Sequence, residues 1–116
     1  MKELSLQIVR CVDNEHFPGW IECEFRDVES RRHTVVDKIP TFSMDPALDP
    51  LDSSTKYPQP AGIACEILDA WRDSQGRDLV RITIDRPWHL ESTEKLSEFV
   101  VLAMQVSESP ARSTAN

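Results

Sequence analysis

Apolar and polar side chains alternate through "WIECEFRD", residues 20–27. Ile21, Cys23 and Phe25 fall on one face and Trp20, Glu22, Glu24 and Arg26 on the other, the two-residue period of a half-buried β-strand. The same period opens the chain, with Leu4, Leu6 and Ile8 opposed to Ser5 and Gln7. Val9 and Cys11 break its phase, which predicts a bulge or a strand buried on both sides. "DNEHFPG" reads as a turn, because Asn14, Pro18 and Gly19 are turn formers. After the polar connection "DVESRR", the β-branched run in "HTVVDKI" predicts a return strand.

"GWIECEFRD" at 19–27 has an echo in "AGIACEILD" at 61–69. Ile63, Cys65, Glu66 and Asp69 stand for Ile21, Cys23, Glu24 and Asp27, and Val80, Ile82 and Ile84 line the buried face of a second return strand. Arg32 and Val35 match Arg77 and Val80 when a three-residue difference in the turn is allowed, and Pro40 and Pro87 close the two units. Two copies are too few for a solenoid, so they are read as two hairpins of one sheet. Gly76 supplies a turn glycine in the second hairpin. The first has none.

Two stretches also fit helices. Ile63, Ile67 and Trp71 share a helical face, and Leu96, Phe99, Val100, Ala103 and Met104 recur at helical spacing with Thr93 as a cap. The echo favours a strand over 63–72, and the β-prone run Phe99–Leu102 favours one within 93–104. The expected fold class is therefore all-β: a single small antiparallel β-barrel or sandwich of about six strands. An α+β fold with helices near 63–72 or 93–104 is the alternative.

Residues 40–60 hold five of the eight prolines and no glycine. Proline fixes φ and lacks a donor, so this stretch is a stiff loop and not a central strand. "MDPAL" and "LDPLD" read as short helical turns with aspartate as N-cap and proline in the first helical position. Phe42, Met44, Leu48, Leu51 and Tyr57 give the loop the means to cap one end of a barrel, or else to bind.

Composition narrows the picture. With 116 residues, 40% apolar and 28% charged, the chain fits one domain, expected over 1–105, followed by a flexible polar tail at 106–116. No apolar run reaches the roughly 18 to 20 residues that span a bilayer, and Glu3 and Arg10 come too early for a signal peptide, so a cytoplasmic location and no membrane partner are expected. The formal net charge of −7 argues against nucleic acid as a partner, because phosphate binding needs a surplus of Lys and Arg. Cys11, Cys23 and Cys65 form no CxxC pair and sit in apolar stretches, as core residues do.

Candidate chemistry is sparse. Asp45, Asp49 and Asp52, or more loosely His89, Glu91 and Glu94, are the best clusters for a metal, but neither has calcium-loop or zinc-site spacing, and no metal or cofactor is expected. His16, His33 and His89 are the histidines open to acid–base work, and no nucleophile elbow or phosphate loop accompanies them. "DRPWHLEST" stands out, since Arg and Trp are enriched in binding hot spots and a proline stiffens Arg86, Trp88 and His89.

Taken together, "PGWIECEFRD", "VDKIP", "YPQPAGIACEI" and "RPWHLEST" resemble a group of short, uncharacterised bacterial proteins, over most of residues 1 to 105. The resemblance implies a small β-barrel, similar in outline to the β-barrel domains of translation factors. It carries no catalytic residue across, and it implies a glycine in the first hairpin turn that "DVESRR" lacks, so a longer or looser turn is expected there.

The expected function is a non-enzymatic binding module for another protein, an antagonist or immunity-like role being one form in which an acidic face masks a basic partner. Its contact surface is expected to combine Trp20, Arg86, Trp88 and His89 with Phe42 and Tyr57 of the loop. The alternative is a small enzyme or small-molecule binder with a pocket under the 40–60 loop, using His89 with Glu91 or Asp85 as acid and base.

Overall fold

The strands expected from the two-residue period form. A computed structural model describes residues 1–108, which build seven antiparallel strands: β1 (Lys2–Asp13), β2 (Trp20–Arg26), β3 (Arg32–Lys38), β4 (Gln59–Arg72), β5 (Asp78–Thr83), β6 (Glu98–Leu102) and β7 (Val106–Glu108). Their order is β3-β2-β1-β4-β5-β6, with β7 beside β1, and the sheet curls into a half-barrel. Alternate side chains point into one core: Leu4, Leu6 and Ile8 of β1, Ile21, Cys23 and Phe25 of β2, Ile82 of β5, and Phe99 and Val101 of β6 are all buried. Each such aliphatic or aromatic side chain contributes about 1.5–3 kcal/mol when removed from water.

The two longest strands make the curl. β1 pairs with β4 through residues 2–8 and with β2 through residues 7–13, and its register shifts after Ile8 and again after Cys11, where the sequence loses phase. β4 pairs with β1 through residues 59–65 and with β5 through residues 66–72, with a shift between Ile67 and Asp69. These irregularities bend each strand from one half of the sheet into the other. Neither helical alternative forms. β5 offers a ladder on each side, to β4 and to β6, and only a 3-10 turn at Ala103–Gln105 follows.

The two hairpin connections are one turn built twice. In the first, Asp27 N–H donates to Arg31 C=O at 2.9 Å, and Asp27 Oδ1 accepts from Glu29 and Arg31 N–H at 2.8 and 3.1 Å. In the second, Asp73 N–H donates to Arg77 C=O at 3.0 Å, and Asp73 Oδ1 accepts from Gln75 and Arg77 N–H at 3.0 and 2.8 Å. The first turn is thus neither longer nor looser for lacking glycine. Ser30, at φ 65°, takes the left-handed position that Gly76 occupies at φ 79°. The equivalent turn residues are Asp27 with Asp73 and Arg31 with Arg77, so the second unit carries additional residues in β4, around the bulge after Ile67.

The proline-rich segment lies over the core as an ordered cover. Phe42 is buried, and Met44, Leu48 and Tyr57 pack against the same cluster, whereas Leu51 is exposed. Asp45, Asp49 and Asp52 open successive β-turns: Leu48, Asp52 and Thr55 N–H donate to the carbonyls of Asp45, Asp49 and Asp52. Proline at the second position of the first two turns favours this conformation, and no helical turn develops. Ser43 exchanges two backbone hydrogen bonds of 2.8 Å with Gly62, and its hydroxyl donates to the buried Glu3 carboxylate. A Cβ at Gly62 would stand 2.9 Å from Glu3 Oε1, so any other residue there would have to displace that carboxylate.

β6 reaches the β2–β3 hairpin without forming a ladder. Val28 N–H donates to Val100 C=O at 2.9 Å, and the Gln105 amide bridges the rest, accepting from Leu102 N–H and donating to Arg26 C=O, both at 2.9 Å. Val106–Glu108 are not tail, as the sequence implied, but a strand along the start of β1, where Lys2 and the N-terminal ammonium pair with Glu108. The remainder of the expected flexible tail, 109–116, lies outside the described residues. Among the described residues no helix is long and apolar enough to cross a membrane.

Candidate functional site

The connection from β5 to β6 is long but held along its length. Ile84 N–H donates to Ser97 C=O at 2.8 Å, Leu90 N–H to Ile84 C=O at 3.0 Å, and His89 N–H to Asp85 C=O at 2.7 Å. Ser92 ties off the far end, its N–H bonding Leu96 C=O at 2.7 Å and its hydroxyl accepting from Leu96 N–H at 3.2 Å. Leu90 and Ser92 are buried and anchor the loop. Between the anchor and the strand, Trp88 stands 50% exposed, and His89, at φ 57°, turns outward beside it. An aromatic side chain is thus held in water by a braced backbone.

This loop and β3 are the walls of a furrow. A hollow of about 430 Å³ is lined by Phe42 and Ser43 from the cover, Asp37 and Lys38 from β3, and Trp88, His89 and Leu90 from the loop. A second, of about 330 Å³, continues it through the shared Asp37, His89 and Leu90 to Val36 and Lys95. Asp37 is fixed in the floor, because its Oδ1 accepts from Lys38 N–H at 2.7 Å and Thr41 Oγ1 at 3.0 Å. The outer side of the furrow is the edge of the sheet, since β3 pairs with β2 alone. Thr93 N–H donates to Thr34 C=O at 2.9 Å, and beyond that point loop and edge part.

Of the six residues expected to share one surface, three meet here. Phe42 forms the buried base, with Trp88 and His89 at the rim. Trp20 lies on the outer face of β2, with Lys38 Nζ 5.8 Å from its ring centroid. Tyr57 packs inward and donates to Pro50 C=O at 3.1 Å, and burial raises its phenol above the usual value. Arg86 is exposed, 3.7 Å from Glu66. The residues proposed for acid–base work are open to water: the His89 side chain is 84% exposed with Asp85 at 3.6 Å, and Glu91 pairs with Lys95 at 3.1 Å. Val36, Asp37 and Leu90 of the furrow were not singled out from sequence, because nothing local marks β3 as the edge strand.

A second polar feature lies at the opposite end of β3. His33 is buried between Phe25 and Phe99, with ring centroids at 5.3 and 4.7 Å. Its Nε2 is 2.8 Å from Asp27 Oδ2. Burial pushes the Asp27 carboxyl up, but the hydrogen bonds from His33, Arg31 and Glu29 outweigh it and hold the group below its ordinary value. A carboxylate only accepts, so His33 carries its proton on Nε2, and its buried Nδ1 has no partner among the described residues. The thiols offer no nucleophile in the core: burial pushes Cys23 and Cys65 each up to about 12.

Comparison with known protein families, with curated proteins and with solved structures returned no match. The functional reading therefore stands on the furrow itself.

Proposed function

We propose that the protein is a non-enzymatic binding module that receives a protein partner in the furrow between β3 and the 85–97 loop. The observation that carries this reading is Trp88, half exposed on a loop anchored by Leu90 and Ser92 at the rim of a concave surface with Phe42 at its base. Large apolar side chains held rigid in water add contact area at little cost in conformational entropy, which is why Trp dominates binding hot spots. Acid–base chemistry has less support, because His89 and Asp85 stand in open solvent with no sheltered position for a reacting group. The net charge of −7 favours a basic partner, as an antagonist or immunity-like protein would need.

The test is paired affinity capture from a lysate of the source cells, with the wild type and Trp88→Ala at low and moderate salt. The module reading expects a protein retained by the wild type, weakened by salt and lost with Trp88→Ala. A partner held equally by both forms would remove Trp88 from the contact. If no protein is retained but a metabolite raises the melting temperature, the furrow is a small-molecule site instead; its volume of about 430 Å³ lies within the range of such sites.

A further inference from the structure

The walls of the furrow differ in chemistry, and one of them is backbone. In the β2–β3 hairpin, Asp27 N–H bonds Arg31 C=O at one end and Ile39 N–H bonds Gly19 C=O at the other. The alternation of an antiparallel ladder between them turns the N–H and C=O of Thr34 and Val36 away from β2, toward the free edge. Thr93 N–H takes the Thr34 carbonyl, whereas the Val36 groups face the hollow that the departing loop leaves. We infer that the furrow takes an extended, basic segment of a partner protein, which adds as a strand to the edge of β3 at Val36 and packs its side chains against Trp88. This rests on the furrow being the contact surface proposed above.

Backbone donors and acceptors aligned along an edge are complementary to another extended chain, and a pocket beside them selects its alternate side chains. Charge favours a basic segment. Among the described residues the Asp37 carboxylate in the floor makes no ion pair, whereas Lys95 is paired with Glu91 at 3.1 Å and Lys38 Nζ lies 5.8 Å from the Trp20 ring centroid. A second copy of this chain fits less well. Symmetric antiparallel pairing centred on Val36 would set Thr34 opposite Lys38, but Thr93 already covers the edge at Thr34.

The experiment is selection of short linear peptides from a displayed random library on the wild type, followed by affinity measurement and amide exchange. The expected result is peptides rich in Lys or Arg and aromatic residues that slow exchange of the Val36 amide. Val36→Pro removes that edge donor without touching the ladder to β2, a change edge strands tolerate, and is expected to weaken binding about tenfold. Trp88→Ala weakens it as well. Binding that needs Trp88 but leaves Val36 exchange unchanged overturns strand addition and leaves the furrow reading standing. Selected peptides indifferent to both residues overturn both readings. A library that yields no binder overturns the extended-segment occupant, and the capture comparison with Trp88→Ala then decides the furrow reading separately.

Discussion

Ser30 and Gly76 occupy the same position of the same five-residue turn, at φ 65° and 79°. Around each, an aspartate carboxylate accepts the backbone N–H groups two and four residues on. The left-handed region costs an L-residue roughly 1–2 kcal/mol, a cost that glycine avoids. Ser30→Gly is therefore expected to stabilise the fold by about 0.5–1 kcal/mol, after allowing for the freer unfolded chain. Gly76→Ala is expected to destabilise it by about 1 kcal/mol through the backbone alone, because nothing lies within 4 Å of the added Cβ. Urea denaturation of the two variants checks both signs.

The Asp27–His33 pair sets part of the acid response. The folded carboxyl lies below its unfolded value of about 3.9, so its contribution is fully present above that pH and lost as pH falls through the folded value. Asp13, Asp52, Asp73 and Glu108 are lowered too, by hydrogen bonds to neighbouring backbone or side chains, and add to the same limb. Asp27→Asn keeps an oxygen for Glu29 and Arg31, but presents an amide donor to His33 Nε2–H. We expect a loss of about 1–3 kcal/mol at neutral pH and a shallower decline below about pH 4 than the wild type shows, read from unfolding curves across pH.

Gln105 closes the sheet with a side chain that imitates a peptide group. Gln105→Ala leaves Leu102 N–H and Arg26 C=O without that bridge and is expected to cost about 1–2 kcal/mol. Gln105→Glu still accepts from Leu102 but sets a carboxylate oxygen against the Arg26 carbonyl. It should therefore be no better than alanine at neutral pH, as equilibrium unfolding would show.

Of the three cysteines, Cys23 and Cys65 are buried and Cys11 is partly exposed. A disulfide reagent at mildly alkaline pH is expected to label at most one thiol in the native protein and all three after unfolding. Fast labelling of two in the native state would contradict the packing.

Much of the fold was legible. Alternation placed β2 and the first half of β1, the β-branched run placed β3, and the phase break at Val9 and Cys11 marked the bulges of β1. The helical spacing at 93–104 competed with a strand reading that holds, because Phe99 and Val101 also satisfy the two-residue period and β5 supplied an edge to pair with. The turn at Ser30 was misread, because glycine is the usual sign of a left-handed residue. The echo likewise hid the residues added in β4. The site was legible in its exposed part: "RPWHLE" announced Trp88 and His89, but not where Trp20, Tyr57 and Arg86 would lie. Their separation, and the role of Val36 as an edge, follow from strand order, which no local pattern encodes.

The central claim is that the partner lies in the furrow. Amide exchange of the protein with and without its captured partner tests it most directly, since the exposed apolar side chains of Trp71 and Met104, which do not line the furrow, offer a rival surface. Slowed exchange at 36–38 and 88–92, with residues around Trp71 and Met104 unchanged, is the result expected. Protection confined to Trp71, Leu102 and Met104, with 36–38 and 88–92 unaffected, would contradict it.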